Sequence, residues 1–93
     1  MVLLISYDLN NHERPSSYHA VAKAIEDGAT SFLRPLYSQW LIETTYSPTA
    51  WREHLLSVLD ADDRLFICPV VKGRDGWLEQ EVWEWLRERG VTD

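Results

Sequence analysis

Val2-Leu3-Leu4-Ile5-Ser6-Tyr7-Asp8-Leu9 is a short, nearly unbroken apolar run that carries a carboxylate near its end and then opens into Asn10-Asn11. A run of this length, rich in β-formers and bounded by a turn signal, reads as a strand buried on both faces rather than a helix. A strand of that kind needs a neighbour on each side and a layer above and below. It therefore has to be central in a sheet, and Asp8 stands where the strand leaves the core.

The rest of the chain supplies the neighbours. After the polar loop Asn10–Pro15, Tyr18, Val21, Ala22 and Ile25 recur at helical spacing. They predict a helix over about Ser17–Asp27, capped by Ser16 or Ser17 and closed by Gly28 as a left-handed C′ residue. Thr30–Leu36 and Gln39–Thr45 read as two strands of a hairpin joined by Tyr37-Ser38. Ser47-Pro48 is an N-cap followed by proline at the first helical position. Trp51, Leu55, Val58 and Leu59 continue that helix to Asp60-Ala61-Asp62-Asp63, an acidic turn that is either solvated or a cation site. Leu65–Val71 is a fourth strand, in which Cys68 reads as a small buried apolar side chain. Trp77–Arg89 predicts a third helix, with Leu78, Val82, Trp85 and Leu86 on one face and Gly90 as its stop.

Proline cannot donate to a sheet ladder, so Pro35 and Pro69 place the second and fourth strands at edges. The order β-α-β-β-α-β with two crossing helices then gives an α+β, ferredoxin-like fold with antiparallel sheet order 4-1-3-2. Residues 1–93 form one domain, with a core over 2–71 and an added C-terminal helix over 77–89. That helix is read as covering the open face of the sheet; a partner surface built on Trp83 and Trp85 is the other option. The topology brings Asp8 near Ser38, Gln39 and the Asp62-Asp63-Arg64 corner.

Nine Lys and Arg stand against fifteen Asp and Glu, a formal charge of −6. Such a surface repels phosphate backbones, so RNA or DNA could be met only at a local site. One cysteine excludes an internal disulfide and any cysteine-based metal spacing. The histidines His12, His19 and His54 have no ligand spacing and read as surface or capping residues. No stretch approaches the roughly 20 apolar residues of a membrane span, and nothing resembles a signal peptide, so a soluble cytoplasmic protein is expected. RNA binding across the sheet face would need basic and aromatic residues on the central strands, where the first strand offers aliphatics and Tyr7.

Ser6-Tyr7-Asp8-Leu9 closing the first strand, Ser38-Gln39-Trp40 in the hairpin and Asp63-Arg64-Leu65 entering the fourth strand occur in order. In these residues the chain resembles the small ferredoxin-fold subunit of CRISPR adaptation complexes and its relatives, including the virulence-associated protein D type of ribonuclease. The resemblance spans residues 2–71. It implies a homodimer in which the Asp8 carboxylates of two subunits face each other and share Mg²⁺ or Mn²⁺ in a metal-dependent nuclease acting on RNA or DNA. Tyr7 and Ser38 would be its catalytic neighbours, and Arg14 and Arg64 would hold the nucleic acid. A hard cation wants several oxygen ligands, so one aspartate per chain needs a second from a partner. Two other readings stand beside this one. Asp8 caps the Asn10-Asn11 turn by accepting backbone N–H bonds, or the chain is a non-catalytic homodimeric interaction module of the same fold.

Overall fold

The computed structural model describes residues 1–9 and 15–91. The chain runs β1 (Val2–Asp8), α1 (Pro15–Gly28), β2 (Ser31–Leu36), β3 (Gln39–Glu43), α2 (Pro48–Leu56), β4 (Arg64–Pro69) and α3 (Gln80–Glu88). The four strands form one sheet in the order β2-β3-β1-β4, which is the expected ferredoxin-like order read from the other edge. All three strand pairs are antiparallel. Pro35 and Pro69 fall on the two edge strands, where a missing N–H leaves no gap between paired strands. Between Leu33 and Leu36 the β2–β3 register shifts, a bulge that takes up Arg34-Pro35.

β1 divides its side chains between two cores. Leu3, Ile5 and Tyr7 point to one face and, with Leu9 just beyond the strand, pack with Val21, Ala22 and Ile25 of α1, Trp51 and Leu55 of α2, and Trp40 and Ile42 of β3. Val2 and Leu4 point to the other face, where Leu41 joins them under Val82, Trp85 and Leu86 of α3. The C-terminal helix therefore covers sheet, and Trp85 is buried while Trp83 packs at the margin. Arg89 fastens it there. Its Nε meets Glu43 Oε1 at 3.0 Å, Nη2 donates to Ser31 Oγ at 3.0 Å, and the guanidinium lies 3.9 Å from the Trp85 ring centroid.

Several boundaries differ from the sequence reading. α1 begins at Pro15, so Ser16 and Ser17 fall in its first turn instead of capping it, as suits proline at the first helical position. Gly28 is the last residue of α1, and positive φ occurs only at Gly73 and Gly90 among the glycines. Gly90 is the left-handed stop expected after α3, whereas Gly28 is glycine for a different reason. A Cβ there would sit 2.8 Å from Trp51 Cη2 and 3.4 Å from His54 Nε2. The α1–α2 crossing leaves no room for a methyl group. α2 ends at Leu56, and Val58 and Leu59 pack on the core from the turn beyond it. α3 begins at Gln80, three residues late, because Glu79 at its N-cap makes no side-chain cap bond and Trp77 is fully exposed. Cys68 is half-buried, on the same face of the sheet as Leu4.

Candidate functional site

α3 shelters only one end of its sheet face. Leu33, Leu41 and Leu4 lie beneath it, whereas the next row across the strands, Leu36–Gln39–Ser6–Phe66, lies beyond it. Residues paired across antiparallel strands share a face, so these four side chains form a band over the sheet. Leu36 at one edge and Phe66 at the other are 49% and 65% exposed. Between them Gln39 Nε2 donates to Ser6 Oγ at 3.3 Å, a satisfied polar centre.

Asp8 and Arg64 form the following row, directly opposite each other in register. Both are exposed. Among the described residues no donor reaches the Asp8 carboxylate. Arg64 Nη1 instead donates to the carbonyl of Asp63 at 3.1 Å. The expected turn-capping role of Asp8 involves Asn10 and Asn11, which lie outside the described residues, as does Arg14.

Tyr7 is not brought to this site. Alternation along β1 turns it to the opposite face, where it is 4% exposed and its phenol oxygen accepts from Trp40 Nε1 at 3.0 Å. Its place is in the core beside Asp8 in sequence only. Ser38 is half-buried at the hairpin tip, and its carbonyl accepts from the Tyr7 N–H at 3.1 Å. That bond sets the tip against the end of β1. Arg34, which no motif singled out, is held at the same tip: its Nε donates to the Tyr37 carbonyl at 2.7 Å. Its guanidinium carbon lies 4.7 Å from the Tyr37 ring centroid and 4.9 Å from that of Trp40. The only sequence sign of it is a basic residue just before an edge proline.

The donors around Asp8 in one chain do not fit a divalent cation. Mg²⁺ takes near-octahedral oxygen coordination, usually with one or two carboxylates, and here a single carboxylate stands with Arg64 as its register partner. The nearest hydroxyl on that face, Ser6, is engaged by Gln39. Asp60, Asp62 and Asp63 do converge, with ligand atoms within 4.8 Å of one another, but in a largely exposed turn. Asp63 Oδ2 there accepts the Asp60 N–H at 2.8 Å, which accounts for the turn without an ion. No described helix is long and apolar enough to cross a membrane.

No protein-family model matches this chain, and no curated protein matches it significantly.

Proposed function

We propose that the chain is a cytoplasmic homodimeric interaction module of the ferredoxin-like class, akin to the small subunit of CRISPR adaptation complexes, joined through the uncovered end of its sheet. The observation that carries this reading is the Leu36–Gln39–Ser6–Phe66 band. It has exposed apolar ends, a self-satisfied polar centre and an adjoining row with one charge of each sign. A two-fold axis through the middle of such a band, along the strands, sets Leu36 of each copy against Phe66 of the other and leaves the two Asp8–Arg64 rows facing each other at one end. A standard interface buries about 800 Å² per partner, roughly an eighth of this chain's 6133 Å². Sedimentation equilibrium tests it. Wild-type protein should be dimeric at micromolar concentration and Phe66→Glu monomeric, and a wild-type monomer at 10.9 kDa would sink the proposal.

A second reading is a metal-dependent nuclease in which the Asp8 carboxylates of two copies hold Mg²⁺ or Mn²⁺ against RNA or DNA. What favours it is that Asp8 is exposed and without a hydrogen-bond partner among the described residues. One chain alone lacks the donor set, so this reading depends on the same dimer. Asp8→Asn keeps the side-chain shape and removes the charge a cation needs. It should abolish metal-dependent cleavage while leaving the dimer intact; cleavage that survives in purified Asp8→Asn protein eliminates the site. The acidic surface makes weak, strongly salt-sensitive activity the expected result.

A further inference from the structure

Away from the sheet face, a cavity of about 390 Å³ opens where the end of α1 meets α2, lined by Asp27, Gly28, Tyr46, Ala50, Trp51 and His54. Its volume is within the range that takes small organic ligands. Among the described residues, three of its six walls are aromatic and the only charged one is a carboxylate. Its shape is built in from the core. The Thr44 hydroxyl, in a residue 2% exposed, accepts from Trp51 Nε1 at 2.9 Å and from the Tyr46 N–H at 3.1 Å. One buried oxygen thus positions two of the aromatic walls. The third, His54, stands edge-on to Trp51 with ring centroids 5.4 Å apart. Its Nε2 lies 3.0 Å from the Ala24 carbonyl, which only accepts, so Nε2 carries a hydrogen. Gly28 contributes a wall without a side chain.

The charge at this place is unbalanced. α1 ends with Glu26 and Asp27 where the helix dipole is already negative, and its last turn has no basic residue. Lys23 stands one turn back on α1, and its Nζ reaches Asp27 Oδ2 at 3.1 Å. Both side chains are more than half exposed, so that pair is weak and exchangeable. An anion would meet the Asp27 carboxylate and a helix C-terminus. A neutral apolar ligand would leave the carboxylate unused. An alkylammonium uses both kinds of wall, its stem on the aromatic surfaces and its charge at Asp27.

We infer that this cavity is a binding site for alkylammonium groups, of the kind carried by lysine side chains and polyamines. Lys23 then acts as an internal competitor for Asp27.

The test is a titration of the full chain with n-butylammonium chloride, followed by ¹H–¹⁵N shifts of Gly28, Ala50 and the Trp51 indole, with n-butanol as the neutral control. Saturable shifts with a millimolar Kd are expected for the ammonium and none for the alcohol. Asp27→Asn should weaken binding about fivefold or more, and Lys23→Gln should tighten it about twofold, the scale of one exposed charge pair. Both substitutions are at exposed positions, so neither threatens the fold. Equal binding of butanol, shifts that never saturate, or an Asp27→Asn affinity equal to wild type would each overturn the inference.

Discussion

Replacing Gly28 by alanine separates two effects that oppose each other. Its backbone is helical and has no positive φ, so alanine there gains about 0.5–1 kcal/mol of helix propensity over glycine. Against this, the new Cβ lands 2.8 Å from Trp51 Cη2, closer than carbon atoms approach. Trp51 cannot swing aside cheaply: it is 2% exposed and its Nε1 is bonded to the buried Thr44 hydroxyl. Overpacking of this kind typically costs about 1–3 kcal/mol. The balance is a destabilisation of about 1–2 kcal/mol, or a fall in Tm on the order of 5–12 °C for a domain of this size. Urea unfolding should show a lower midpoint at an unchanged slope. Trp51→Phe removes the clashing atom, so the double variant should recover about 1 kcal/mol relative to additivity. A Gly28→Ala protein as stable as wild type or more so would refute the argument that the α1–α2 approach, and not turn geometry, demands glycine.

Thr44→Val leaves Trp51 Nε1 and the Tyr46 N–H without their shared acceptor and should cost about 2–3 kcal/mol in the same denaturation assay. Tyr7→Phe should cost about 1–3 kcal/mol, because the buried Trp40 Nε1 loses its partner, and the oligomeric state read by sedimentation should not change. Arg89→Lys keeps the charge and loses the planar fork that joins Glu43, Ser31 and the Trp85 carbonyl, so a loss of about 1–2 kcal/mol is expected, read from near-ultraviolet dichroism of Trp85 on heating.

The sheet was legible because its evidence is redundant. An apolar run that must be central and two prolines that must be peripheral leave one strand order, and helical spacing located α1 and α2. Gly28 was misread because a glycine that ends a helix in the left-handed region and one that lets a tryptophan approach look identical in sequence. The start of α3 was misplaced because Leu78 fits the apolar stripe, yet Gly73 and Gly76 before it and an uncapped Glu79 delay the helix to Gln80. Asp8 and Arg64 could be brought together from topology alone, as register partners at the end of β1. Tyr7 was grouped with Asp8 by the family resemblance, whereas alternation along a strand sends neighbours to opposite faces. Thr44 carries no sequence signal, since one hydroxyl among several exposed Ser and Thr residues is distinguished only by what folds onto it.

The division of β1 between two cores gives Asp8 a further role that no ligand is needed to explain. Val2, Leu3, Leu4 and Ile5 are nearly interchangeable, so the apolar part of the strand says little about which side chains belong under α1 and α2 and which under α3. A slip of one residue would exchange the faces, carrying Ser6 and Asp8 beneath the helices and turning Ile5 and Tyr7 outward. Burying an unpaired carboxylate there would cost several kcal/mol, which discourages the slipped alignment. Asp8 is thus a key that lets the strand enter the sheet in one alignment only. Asparagine would turn the same lock less firmly; leucine would leave it open.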